Sequence, residues 1–441
     1  MKSRLLFTTL LLGSLAAFLT PGRLAAQGEK PNHVHYTVID LGTLGGPGTN
    51  SSAYDMNNAG WVAGSSNLTA GGPQHAFVWY GRGPLLDLGT LGGPNSEAGG
   101  PNLRGEAALI SETAETDPNG EDFCGFGNHL QCLGAIWRNW KLTALSTLPG
   151  GNNAQAYGLN NLGEVVGFSE TGVEDPTCST LVPNQVLRYE AAIWEPDGKV
   201  RKLRPLRGDT VGFAFGINDS GQAVGTSGLC ANTSLPPNAP AGTHAVLWEK
   251  DGSAIDLGNL GGTTGNIATS VNNLGVVAGN SQFTDGSLHP FLWTRGKLIQ
   301  DLGSFPGAIA TVAPCCNTLN DSGEVVGFSI DGMGNPHAFV GDKKGLTYLN
   351  DLIAKDSPWQ LQFALAVNDA GEIVGSGLIG GESHAFLATP TTSEDDSESA
   401  ASGQQAGSSE AGKVVLTEDA RKQLQKLLRF RLPGAQLTEP Q

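Results

Sequence analysis

The stretch Asn57–Gly64 reads NNAGWVAG. The same form, N-x-x-G-x-[VIA]-[VA]-G, returns as NNLGEVVG at 160, NDSGQAVG at 218, NNLGVVAG at 272, NDSGEVVG at 320 and NDAGEIVG at 368. A worn copy, NLRGEAAL at 102, makes seven, with successive copies 45 to 58 residues apart. Asn followed three residues later by Gly is tight-turn chemistry, and the alternating small and apolar residues around it suit strands. Repetition at this period decides the architecture before any local structure is assigned.

Two further marks accompany the turn. One is a histidine segment: HAFVW at 75, HAVLW at 244, HPFLW at 289, HAFVG at 337 and HAFLA at 384. The other is DLGTLGG at 40 and 87, with relatives at 256 and 301 and looser forms at 145, 203 and 350. Each unit then holds four short strands. In the first unit strand A covers about 53–57, B about 60–66, C about 74–79 and D about 84–88. Seven such units predict an all-β, seven-bladed β-propeller, in which radial repetition leaves few exposed sheet edges. A β-helix needs much shorter repeats, a helical solenoid needs a 3.6-residue period, and a sandwich leaves the sevenfold recurrence unexplained. Ala53, Ala98, Ala156, Ala214, Ala268, Cys316 and Ala364 each stand four residues before the turn Asn. Small side chains there place strand A innermost, where blades crowd the axis.

Five of the eight histidines occupy one recurring position, and the residue twelve further on answers them. His75 has Asp87, His244 has Asp256 and His289 has Asp301; the third unit holds Glu190 and Lys202, and the second Leu133 and Leu145. A constant separation around the C–D turn is what contacting cross-strand residues produce. The sixth unit offers His337 and Asp351 across a longer turn. The seventh, with His384, lacks a strand D of its own, while Tyr36–Leu41 is a strand without a unit. This N-terminal strand is expected to complete the last blade, setting Asp40 beside His384 and closing the ring. Metal ligation needs several ligands converging on one ion. Equivalent positions on separate blades do not converge, so structural pairing is the expectation and no catalytic residue is assigned. His33 and His35 form a bare HxH in a terminal stretch that is expected to be solvated.

Together, HAFVW, DLGTLGG and NNxGxVVG resemble the bacterial extracellular HAF-repeat proteins, named for their His-Ala-Phe motif. The resemblance covers roughly residues 36–388, with LGAIW at 133 and EAAIW at 190 the least typical copies. It implies an exported, repeat-built protein and supplies no catalytic residues.

The N-terminus agrees with export. Lys2 and Arg4, an apolar run from Leu5 to Leu19 and small residues at 25–26 have the layout of a signal peptide over 1–26. The run is too short for a spanning helix, so stable membrane insertion is not expected. In an oxidising compartment Cys124, Cys132, Cys178, Cys230, Cys315 and Cys316 are disulfide candidates; Cys124 with Cys132 and Cys178 with Cys230 are two of several open connectivities. The formal charge of −16 argues against a nucleic-acid partner, since phosphate recognition relies on clustered Lys and Arg.

Variation concentrates in the B–C loops of units two to four, at about 111–132, 170–189 and 226–243. Variable loops on a fixed scaffold carry function. The expected activity is therefore non-catalytic binding of an extracellular protein or glycan by these loops, against the alternative of a secreted hydrolase or lyase using carboxylates on the same face. No cofactor is required; calcium is the one candidate, at Asp117, Asn119 and Asp122. The propeller is expected over 34–390, followed by a polar, disordered linker over 391–414. A tail over 415–441 is expected to hold a short basic, amphipathic helix from Thr417 to about Phe430.

Overall fold

The computed structural model describes residues 34–178, 185–233, 243–314 and 317–391. The expected signal segment 1–26, His33, Cys315, Cys316 and nearly all of the expected linker and tail lie outside the described residues. Those described build seven four-stranded antiparallel sheets, and the chain is a seven-bladed β-propeller. Blade 1 consists of Ser51–Met56, Val62–Asn67, Gln74–Trp79 and Leu86–Asp87, close to the strands expected from the sequence. The described residues contain no α-helix, only 3-10 turns such as Leu349–Leu352.

The ring closes as expected. Strand His35–Gly42 pairs antiparallel with Glu382–Thr391, Thr37 standing opposite Thr389 and Ile39 opposite Leu387, and so becomes the outermost strand of blade 7. Because the first strand of the chain sits in the last sheet, the blades cannot peel apart in sequence without breaking this ladder.

Strand A carries a feature that the sequence reading lacks. In blade 1 Ala53 pairs with Gly64 and Asp55 with Ala63, so Tyr54 is an extra, bulged residue. The same shift recurs at residues 99, 157, 215, 269 and 365. The last glycine of N-x-x-G-x-V-V-G lies close against the strand A backbone in the copies that carry it, whereas blade 2 has Leu109 in that place and bulges all the same. A Cβ on Gly64 would lie 2.0 Å from the Ser52 carbonyl oxygen, and one on Gly225 1.8 Å from that of Phe213. The alanines at the bulge are buried as expected, and large side chains such as Trp194, Trp248 and Phe77 fill the space between sheets.

The turn asparagines do more than turn the chain. Asn160 Oδ1 accepts the backbone N–H groups of Leu162 and Glu164, which fixes the A–B turn. Its Nδ2 donates to the Asn218 carbonyl of the next blade at 3.1 Å. The same donation runs from Asn57 to Asn102, Asn102 to Asn160, Asn218 to Asn272, Asn272 to Asn320 and Asn320 to Asn368. Asn368 returns to Asn57 at 3.5 Å, completing a circle. A parallel set joins the following residues, as where Asn161 N–H donates to Asp219 Oδ1 and Asp219 N–H to Asn273 Oδ1. Asn160 is 3% exposed, so these bonds are made where water cannot replace them.

Substituting Asn160→Ala removes the turn cap and the inter-blade bond together and strands buried partners, at about 1–3 kcal/mol for such a group. We expect a loss of about 2–4 kcal/mol in urea unfolding. Asn161→Ala, at a more accessible position, should cost clearly less.

Candidate functional site

Four of the expected cross-strand pairs form. His75 Nδ1 lies 2.9 Å from Asp87, His289 Nδ1 3.0 Å from Asp301 and His384 Nδ1 2.8 Å from Asp40, and Lys202 Nζ donates to Glu190 at 3.2 Å. Each is a diagonal pair: Asp87 stands opposite Phe77, two residues from His75, on the same face of the sheet.

Three expectations need correction. His244 turns away from Asp256 and meets Asp209 at 3.0 Å, a partly buried carboxylate that also accepts the Ser227 hydroxyl. Asp256 keeps its place opposite Val246, and its carboxylate accepts the Gly258 N–H. His337 pairs through Nε2 with Asp331, which caps its own turn by accepting the Met333 and Asn335 N–H groups. Asp351 lies in the 3-10 turn, and Tyr348 takes the place opposite Phe339. In blade 2 the two-residue turn Asn139-Trp140 shortens the hairpin, so Ala135 faces Ala144. Leu145 N–H donates to Gly134 as Leu88 N–H does to Ala76, which makes Leu145 the counterpart of Leu88 and not of Asp87.

B–C loops and D–A connections emerge together on one face of the propeller. Of the connectivities left open by the sequence, two are present there, Cys124–Cys132 within the loop of blade 2 and Cys178–Cys230 between the loops of blades 3 and 4. All four cysteines are buried against Phe123, Phe168, Tyr189 and Phe213 in one aromatic cluster. Phe168 and Phe213 meet edge to face at 4.6 Å, and Tyr189 stacks on Phe213 at 4.9 Å. The loop bases are thus parts of the core.

Beneath them lies a buried acidic cluster that sequence reasoning missed. Asn153, at the entry to strand A of blade 3, donates through Nδ2 to Asp117 at 2.7 Å, Glu170 at 3.0 Å and Glu121 at 3.2 Å. Its Oδ1 accepts the Cys132 N–H. Glu121 reaches across to accept the Val186 N–H of the blade 3 loop at 2.7 Å. Glu170 accepts the backbone N–H groups of Asn152 and Asn153 and the Gln185 amide. The Tyr189 hydroxyl donates to the Thr233 carbonyl in the loop of blade 4. Three loops are therefore joined by polar contacts as well as by sulfur. The only sequence hint was acidity in loops, a feature common in solvated turns; the convergence on Asn153 depends on residues 17 to 36 positions away.

The electrostatics follow from burial. Glu170 is fully buried, and desolvation, with Glu121 beside it, pushes its carboxyl up to about 9, so it keeps its proton at neutral pH. Burial also raises Glu112, against the amides of Asn95 and Asn128. Among the calcium candidates, Asp117 Oδ1 accepts the N–H groups of Asn119 and Glu121, and Asp122 accepts that of Gly127. These oxygens serve the loop's own backbone. Asp175, Cys178 and Cys230 do come together, but both sulfurs are bonded to each other.

No protein-family model matches the chain, and no curated protein matches it. Solved structures resemble it at the level of the fold. Virginiamycin B lyase from Staphylococcus aureus is 10% identical, with a TM-score of 0.43 over 80% of this chain and 99% of that one. A Mycobacterium tuberculosis puromycin-hydrolyzing peptidase is 13% identical, with a TM-score of 0.45 over 79% of this chain and 53% of that one. The β-propeller domain of the Trilobed protease from Pyrococcus furiosus is 8% identical, with a TM-score of 0.40 over 67% and 82%. No helix among the described residues is long and apolar enough to cross a membrane.

Two outcomes follow. Glu170 carries a proton when folded and loses it when unfolded between about pH 4.5 and 9, so the folded state binds more protons and its stability falls as pH rises through that window. Glu170→Gln should remove a slope of up to about 1.4 kcal/mol per pH unit, read as denaturation midpoints from pH 5 to 9. His289→Ala, which breaks a partly exposed pair, should cost no more than about 1 kcal/mol.

Proposed function

We propose that this chain is an exported, non-catalytic β-propeller that binds an extracellular protein or glycan through the enlarged loops of repeats 2 to 4. The observation that carries this reading is the bracing of those loops by two disulfides, by Glu121 to Val186 and by Tyr189 to Thr233. A surface held in one arrangement before it meets a ligand loses less conformational entropy on binding. Closed disulfides suit an oxidising compartment, in keeping with the expected signal segment and the likeness to HAF-repeat proteins.

The hydrolase or lyase alternative needs carboxylates that a substrate can reach. Asp117, Glu121 and Glu170, which converge on this face, are 4%, 1% and 0% exposed. Their oxygens are engaged by Asn153 and by backbone N–H groups. A raised carboxyl at Glu170 would suit a general acid, but sealed in this way it serves to hold loops together.

The test is a screen of the mature chain against secreted proteins and glycans, repeated after shortening 111–132, 170–189 and 226–243 one at a time. A ligand should be found whose affinity falls at least about tenfold on loss of a loop. Cys178→Ala with Cys230→Ala should weaken it less, through loss of preorganisation. Binding that survives every shortening refutes the loop-face assignment.

A further inference from the structure

Three leucines stand in solvent on the A–B turns: Leu103, Leu162 and Leu274 are 46%, 47% and 71% exposed. Each lies one or two residues after a turn asparagine, where the asparagine circle already fixes the backbone. Leu162 and Leu274 occupy a place held by Ala59, Ser220, Ser322 and Ala370 in other blades, so the turn itself has no need of a leucine. Between these turns opens a well of about 100 Å³. All seven blades contribute to its wall, which places it on the propeller axis. Leu103 lines it, and so do Ile217, Val271 and Leu319, which stand just before their turn asparagines and give it apolar surface.

Asp219, Asp321 and Asp369 line the same well, and among the described residues that line it there is no Lys or Arg. The hydrogen bonds they accept come from neutral groups: the Asn161 N–H and amide, the Asn273 N–H, the Asp321 N–H and the Asn58 amide. Burial pushes the Asp321 carboxyl up against the pull of the Asn273 N–H, and Asp369 and Asp219 push it the same way, so the three carboxylates share one field. An apolar surface with a negative centre is complementary to a segment that carries both leucines and basic side chains.

The chain supplies such a segment on this face. Strand Glu382–Thr391 ends here, with the Pro390 ring 3.6 Å from the point where a Cβ on Gly371, in the A–B turn of blade 7, would stand. Asp369 is two residues from that glycine. Beyond Thr391 the sequence runs through the polar stretch 392–416 to Arg421, Lys422, Lys426, Arg429 and Arg431, with no acidic residue from 421 to 431. Leu424, Leu427 and Leu428 fall at helical spacing in the same segment. A polar stretch of the length of 392–416 spans about 25–30 Å as a coil, and a tether of this kind sets an effective concentration of about millimolar, so that even a weak contact is occupied.

We propose that residues 421–431 dock on the A–B face of their own propeller, their leucines among the exposed leucines of the turns and their basic side chains at the aspartate-lined well. This face lies opposite the enlarged loops, and the docking does not depend on their function.

The experiment treats an equal mixture of isotopically heavy and unlabelled mature chain with a carbodiimide and reads the cross-linked peptides by mass spectrometry. Lys422 or Lys426 should be joined to Asp219, Asp321 or Asp369, both halves of each peptide carrying the same isotope. Tryptic cleavage between Arg421 and Arg431 is timed in parallel at low ionic strength, where charges are least screened. Leu274→Ser, which alters no hydrogen bond of the turn, should speed cleavage at least about threefold, because cleavage follows the undocked population. Asp219→Asn, Asp321→Asn and Asp369→Asn combined should speed it at least about tenfold. Asparagine already holds this place as Asn58, Asn161 and Asn273, and Tm checks that the fold is kept; if Tm falls in the triple variant, Leu274→Ser decides. The proposal fails if cross-links to these aspartates are absent or join different molecules, the latter showing a second copy as the occupant. It fails equally if the deciding variants are cleaved no faster than the wild type.

Discussion

Every blade of this propeller is tied to the next by one bond repeated around the axis, from the side-chain amide of a turn asparagine to the carbonyl of the equivalent asparagine in the following blade. Asparagine suits this place because it carries an acceptor and two donors on a short stem. The oxygen shapes its own turn, and the nitrogen reaches the neighbour. Aspartate would keep the cap and lose the bond between blades; glutamine would move both atoms one carbon further out. Local and long-range requirements thus fall on one side chain, and the motif around it has little freedom to vary.

That constraint explains how much of the fold could be read from the sequence. The asparagine and the turn glycine with positive φ recur in all seven units because backbone geometry demands them at a fixed offset, and a glycine packed against strand A recurs in six of them. Strand count, ring closure and the His384–Asp40 contact followed from counting those marks. Of the pairings that eluded the sequence, those of blades 2 and 6 are set by local turn length, while in blade 4 the register held and His244 met Asp209 instead. His244 and His337 found carboxylates in neighbouring connections, and a turn of two residues in blade 2 moved Leu145 out of line. Spacing reports a pairing only while the intervening turn keeps its length. The inter-blade ring itself was invisible because a repeated Asn-x-x-Gly is fully explained by turn chemistry within one blade.

The two faces of the molecule obey different rules. On the side of the A–B turns the asparagine circle fixes the backbone, and side chains change while the chain path does not. Leu103 interrupts the second set of inter-blade bonds at a position held by Asn or Asp in the other blades, and the first set continues past it unbroken. On the other side, among the described residues, the B–C loops carry no such circle. They are free to lengthen, and in blades 2 to 4 each longer loop brings its own means of being held.

Those means are costly in isolation and consistent as a group. Burying Asp117, Glu121 and Glu170 together sets like charges against one another in a dry setting, which alone would open the loops. Two circumstances prevent it. At neutral pH Glu170 stays protonated, which removes its charge from the cluster, and Asn153 supplies N–H donors at the centre. Disulfides on either side keep the segments near enough for those hydrogen bonds to form. A more apolar junction would be simpler to bury, but the loop segments bring backbone N–H groups that need partners, at Val186, Asn152 and Asn153, and the carboxyl oxygens of Glu121 and Glu170 accept them. The acidity of this region therefore answers the needs of the backbone beneath it.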